Sequence, residues 1–177
     1  MNPRWQSGRG GCTIDVVDSD ERDEQGGDPA CWSGVVLDAR EPLRTRPGHP
    51  DLTTRERVAE LVTDFYREVA GDEVLGPYFN DVAQVDWAAH LPHLTDYWCR
   101  ILFGSPGFEG AVTKMHRDLH ADAAISPEAC DRWFELWETS IDARWSGTYA
   151  DHARRHAAVL MAGLARRVFG FEWKPST

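Results

Sequence analysis

Most of the patterns that announce common functions are missing from this sequence. Its four cysteines, Cys12, Cys31, Cys99 and Cys130, form no C-x-x-C pair and no Cys-x-x-Cys-His signal for covalent attachment of a prosthetic group. Neither a disulfide framework nor a cysteine-rich zinc site is expected, and the cysteines read as reduced thiols. Lys and Arg number 19 against 29 Asp and Glu, a net charge of -10. A chain without clustered basic residues is poorly suited to a polyphosphate backbone or an anionic membrane surface. No run approaches the ~20 apolar residues of a membrane-spanning helix. The opening Met1-Asn2-Pro3-Arg4-Trp5 leads into acidic sequence, not into the apolar core of a signal peptide. We therefore expect no nucleic-acid or membrane partner and a cytoplasmic location. No segment reads as a strand and none repeats.

What is present divides in three. Residues 1–50 are rich in Gly, Asp, Arg and Pro, include the charge run Asp18–Glu24, and have no helical period. Such a stretch buries too little apolar surface to offset its chain entropy, so it is expected to be a disordered acidic extension. Within it only Val35-Val36-Leu37 could dock on a core. Residues 51–170 are expected to form one all-α domain, and 171–177 a tail. The domain begins at Thr53 or Thr54, either of which can cap a helix carrying Val58, Leu61, Val62, Phe65 and Val69 at helical spacing. Gly71-Asp72 ends it. Asp86 caps a second helix from Trp87 to about Phe103, which Gly104-Ser105-Pro106-Gly107 terminates. A short helix near 112–121 follows. Ser126 and Pro127 start a long one reaching about Trp145. Gly147 separates the last helix, near 149–169. Pro92 falls inside the second helix, where it removes a hydrogen bond and invites a kink.

Histidines and aromatics recur between Tyr66 and Trp133 on consecutive helices. A haem needs one proximal ligand, often a neutral imidazole, and an open site for gas. His116 lies on the short helix between two long ones, where its ring could swing beneath a porphyrin. Its Nδ1–H would then be oriented by a backbone carbonyl. Tyr66, beside the core residue Phe65, and Trp133 are strong donors that could meet a bound gas. His116 and His120, four apart, could instead hold zinc for a helical enzyme, although no HExxH pattern supplies a third ligand. A haem-free helical module that docks on a partner protein is a further alternative, with these aromatics as plain core. Trp98, Trp137 and Trp145 read as packing, and His152 and His156, among Arg154 and Arg155, as solvated surface.

The strings Phe65-Tyr66-x-x-Val69, Leu75-Gly76-Pro77-x-Phe79-Asn80, Trp87-x-x-His90-Leu91-Pro92 and Asp96-Tyr97-Trp98 come in this order. They continue with Leu102-x-Gly104, Phe108-x-Gly110, His116-x-x-Leu119 and Pro127-Glu128-x-x-Asp131-Arg132-Trp133. From about Leu52 to Val168 the chain resembles the truncated haemoglobins of the third group. The resemblance implies a shortened globin fold, two helices over two, around haem b. It implies His116 as proximal ligand, with His120 as the alternative, because the stretch after Leu119 is about three residues longer than the family's. It implies Tyr66, His90 and Trp133 on the distal side, His90 as a gate to entry, and Phe79, Tyr97 and Trp98 as pocket walls. Oxygen, nitric oxide and carbon monoxide are the implied ligands. The implied uses are reversible binding or sensing, and conversion of nitric oxide to nitrate or reduction of peroxide with electrons from an outside reductase. Strong donors slow oxygen release, which suits chemistry better than transport.

Overall fold

The computed structural model describes residues 46–108 and 110–176. Residues 1–45 of the extension expected to be disordered, Val35-Val36-Leu37 among them, lie outside these. Five α-helices follow in order: α1 (Arg55–Gly71), α2 (Trp87–Phe103), α3 (Val112–Asp122), α4 (Pro127–Arg144) and α5 (Thr148–Leu164). π-helical turns at Tyr78–Val82 and Ala165–Phe169 precede α2 and prolong α5. No strand occurs among the described residues.

Local chemistry explains where most helices begin. The Thr54 hydroxyl accepts from the Arg57 N–H, and the Asp86 carboxylate from those of Ala88 and Ala89. Ser126 accepts from Ala129, with Pro127 at the first helical position, where its missing N–H costs nothing. Helix α2 runs on through Pro92 and closes at Gly104, whose φ of 67° suits a residue without a Cβ. Helix α5 is the exception. Gly147 stands at its cap position with φ of 127° and offers no side chain. Asp51, nearly a hundred residues earlier, takes over: its carboxylate accepts from Tyr149 N–H at 3.0 Å and Ala150 N–H at 2.9 Å. A Cβ at position 147 would lie 2.6 Å from that carboxylate carbon, so Gly147 also makes room for the cap.

The apolar period of α1 becomes its buried face: Val58, Leu61, Val62, Phe65, Tyr66 and Val69. Helix α1 packs on α2 and α4, and α5 packs on α4 and α2. The result is two helix pairs, one laid over the other, around a core centred on Phe65, Trp98, Trp137 and Ile141. Helix α3 stands apart and leans chiefly on the turn that prolongs α5 and on Tyr78–Val82. The gap between α3 and the four-helix body is where the site lies.

Both ends of the domain extend past the boundaries expected from composition. Residues 46–50 are tied to the start of α5: Ser146 Oγ accepts from Arg46 N–H, and Ser146 N–H donates to the Pro50 carbonyl. In the expected tail Trp173 is buried, and its indole N–H donates to Asp131 at 2.7 Å while its ring meets Phe134 edge-on.

Replacing Asp51 by Ala leaves two helix N–H groups without their acceptor. We expect a loss of roughly 1–2 kcal/mol in urea unfolding, the cost of losing a helix cap. An unchanged midpoint would show that solvent serves α5 as well.

Candidate functional site

A cavity of about 1200 Å³, counted out to its open mouth, separates α3 from the rest of the molecule. Its walls come from all five helices and are mostly apolar, with Val112, Met115, Leu119, Met161, Leu164 and Phe169 prominent. Tyr66, Phe79, His90, Tyr97, Trp98, His116 and Trp133, separated by up to 67 positions, all face into it.

His116 faces in from α3. Its Nδ1 lies 2.8 Å from the Val112 carbonyl, one turn back on the same helix. A carbonyl only accepts, so Nδ1 carries the proton and Nε2 is left with a lone pair. Burial lowers the pKa of the ring more than the Val112 hydrogen bond raises it, and so keeps the imidazole neutral as metal ligation requires. His120 is placed differently. Its Nδ1 accepts the Ile125 N–H at 3.0 Å, its ring lies against Phe169 at 5.1 Å, and it is not part of the cavity wall. The two histidines therefore do not converge. Among the described residues no cluster of three or more His, Cys, Asp or Glu side chains could hold a metal ion.

Tyr66 is buried, its ring edge-on to Phe65 at 4.7 Å and to Phe79 at 5.9 Å. Burial raises its pKa well above the ordinary phenol, while the nearby Trp133 indole N–H pulls the other way. The hydroxyl thus keeps its proton at neutral pH and remains a donor. His90 stands edge-on to Tyr66 at 6.4 Å and to Trp87 at 6.2 Å. Its pKa is lowered by burial, then by the neighbouring charges of His93 and His116. Phe79 and Trp87 stack at 5.8 Å beside them. Phe108, on the loop before α3, rests on His93 at 4.7 Å and Tyr97 at 5.1 Å.

Trp133 owes its position partly to its neighbour. Arg132 Nε donates to Asp72 at 2.7 Å, joining α4 to the turn after α1, while the other Asp72 oxygen accepts from Val74 and Leu75 N–H. Burial alone would push the Asp72 carboxyl up, but Arg132 and those two N–H groups outweigh it and hold the pKa below the ordinary range.

One reading of the sequence is overturned. His156 is not solvated surface: it is 2% exposed, and its Nε2 lies 2.7 Å from the Tyr97 hydroxyl. Arg154 is buried as well, balanced by Asp151 at 2.8 Å and by Asp142. His156 and the α5 wall of the cavity were not singled out from sequence. The Ala150, Ala153, Ala157 and Met161 stripe of α5 is the signal that could have found them.

Two helix pairs laid one over the other, with His116 turned from a short separate helix into an apolar cavity, define a truncated globin. The structure superposes on the crystal structure of the group III truncated hemoglobin from Campylobacter jejuni with a TM-score of 0.60 and 23% identity, covering 68% of this chain and 94% of that one. No family model matches the sequence. The chain is also 30% identical over 95 residues to a group 3 truncated hemoglobin of Campylobacter jejuni subsp. jejuni serotype O:2, a span of 52% of this chain and 72% of that protein. The chain belongs to the group III truncated haemoglobins.

Because the folded Asp72 pKa is depressed, its bond to Arg132 stabilises fully above the unfolded carboxyl's pKa of about 3.9, and the contribution is lost as pH falls through the folded value. An Arg132→Met variant should be less stable than the parent by about 1 kcal/mol near pH 7, the scale of a half-exposed charged hydrogen bond. The gap should close on acidification. A gap independent of pH would mean that Arg132 acts through packing alone.

Proposed function

We propose that this chain holds haem b through His116 and binds oxygen and related diatomic ligands on the face where Tyr66, Trp133 and His90 converge. The observation that carries this reading is the His116 ring. One nitrogen is committed to the Val112 carbonyl and the other faces an apolar cavity. Nothing else in the cavity needs that lone pair. A bound haem would supply an iron with one open position for gas.

The remaining work falls to the chain. The apolar walls exclude water, which would otherwise compete for the open position and promote oxidation. Phe79, Tyr97 and Trp98, which line the cavity, would help to hold the haem. With haem held there, the Tyr66 hydroxyl would be the donor available to a gas that has gained negative charge. Trp133, on the same wall, would offer its indole N–H as a second donor. His90, edge-on to Tyr66 in the same wall, would act on entry and exit of the gas. Donors so arranged retain the gas. We read the protein as fitted to slow turnover, nitric-oxide or peroxide removal with an outside reductase, more than to transport.

Purified protein supplied with hemin should show a Soret band that shifts sharply on dithionite reduction and carbon monoxide addition. No band after hemin addition would contradict the proposal and favour a haem-free helical module. Tyr66→Phe should speed oxygen dissociation about tenfold, since one hydrogen bond to a charged partner is worth roughly 1.5–3 kcal/mol and Trp133 replaces part of it. An unaltered off-rate would remove Tyr66 from contact with the gas.

A further inference from the structure

The His156 imidazole has no part in holding a haem or a gas, yet it is buried and bonded to a residue of the cavity wall. Tyr97 presents its ring to the cavity and its hydroxyl to His156 Nε2 at 2.7 Å. A phenol is the better donor of the two groups and an imidazole nitrogen the better acceptor, so the hydroxyl proton points at Nε2. The other cavity tyrosines lack such a base. Tyr66 has the donor Trp133 at its oxygen, and Tyr78 donates to the Ala124 carbonyl, which cannot take up a proton.

Electronic contact with the rest of the cavity is also built in. Tyr97 lies edge-on to Trp98 at 5.4 Å. Trp98 stacks on Trp137 at 4.4 Å with an interplanar angle of 18°. Trp137 stacks on Trp133 at 6.0 Å and 8°. Trp133, Trp98 and Tyr97 all face the cavity. An electron vacancy created anywhere along this row has a continuous path of rings to Tyr97.

We propose that Tyr97 and His156 form a redox-active pair, in which Tyr97 gives one electron to an oxidised haem while its hydroxyl proton passes to His156 Nε2. The inference rests on the haem reading above. The oxidant is a hydroperoxide. Its O–O bond breaks as it takes two electrons and two protons, giving an alcohol and water, or two waters from hydrogen peroxide. Both electrons come from the haem site and both protons from solvent. Tyr97 returns one electron to that site and becomes a neutral tyrosyl radical beside an imidazolium. Two equivalents of an external one-electron reductant complete the cycle: one restores the haem site, and the other restores the Tyr97 electron as the proton returns from Nε2 to the Tyr97 oxygen.

A phenol that can shed its proton as it loses its electron is easier to oxidise than one that cannot, so the vacancy settles on Tyr97 ahead of Tyr66 and the indoles. Burial lowers the His156 pKa to about 4, with a smaller contribution from His152. The imidazole is therefore neutral and ready to accept, and it gives the proton back once Tyr97 is reduced. The pair stores an oxidising equivalent reversibly and shields the buried tryptophans from it.

The test is freeze-quench electron paramagnetic resonance of the ferric holoprotein after mixing with hydrogen peroxide, using ring-deuterated tyrosine to assign the signal. The account predicts a tyrosyl radical that disappears in Tyr97→Phe, a change of one oxygen atom. His156→Gln keeps a hydrogen-bond acceptor but not a base, and should slow the radical's appearance about tenfold, the effect of about 1.4 kcal/mol on the barrier to oxidation once the proton has no base to go to. A tyrosyl signal of undiminished size in Tyr97→Phe would overturn the proposal. So would an unchanged rate in His156→Gln, or no radical from a parent protein that carries its Soret band. A parent protein without a Soret band before peroxide is added would overturn the haem reading and this proposal together.

Discussion

The hydrogen bond between His116 Nδ1 and the Val112 carbonyl decides which nitrogen faces the cavity, and the rest of the proposed site is arranged around that choice. Without it the ring could present an N–H to the apolar interior, where a donor has nothing to meet. With it, a lone pair faces inward on a helix that touches the body of the molecule mainly at its margins. Helix α3 has no side-chain cap at its start and no fully buried residue. A short amphipathic segment of this kind draws its stability from what it packs against. A flat apolar cofactor filling the gap would supply that surface, so on our proposal ligand binding and the order of α3 are coupled.

Opposite α3 the chain concentrates donors in a place where unsatisfied donors are costly. The Trp133 indole N–H lies close enough to the Tyr66 hydroxyl to offset part of the effect of burial there. The Tyr66 proton remains, facing the cavity wall with a pKa raised by burial. Arg132 and Asp72 fix the helix that carries Trp133, and Phe65 is wedged between Tyr66, Trp133 and Trp137 at 4.7, 5.3 and 4.9 Å. The aromatic core and the ligand-facing surface are thus one packed unit: changing a core ring would reposition a donor. The same unit continues through Trp137 and Trp98 to Tyr97 and His156, which gives the core a second role on the account above.

The helices were legible because their start signals are local. Thr54, Asp86 and Ser126 each bond an N–H two or three residues ahead, and the α1 stripe repeats at helical spacing. The cap of α5 was not legible, since Gly147 has no side chain and its substitute, Asp51, lies at the far end of the domain. Residues 46–50 and Trp173 escaped for a related reason: segments that short carry no period, and their partners Ser146 and Asp131 are distant in sequence. His156 was misread because its neighbours Arg154 and Arg155 look like a solvated face, whereas Asp142 and Asp151 neutralise Arg154 in the interior. His116 and His120 could not be separated on spacing alone, one turn apart on one helix. The structure distinguishes them by what each Nδ1 meets, a carbonyl at His116 and the Ile125 N–H at His120.

The central claim is that His116 Nε2 is the atom that would hold the iron, and cavity-making substitution tests it most directly. The absorption spectrum of His116→Gly, reconstituted with hemin and reduced, should lack the five-coordinate imidazole signature and regain it on addition of free imidazole. The same spectrum in His120→Ala should match the parent. A parent-like spectrum in His116→Gly, with its loss in His120→Ala, would contradict the account and move the ligand one turn along α3.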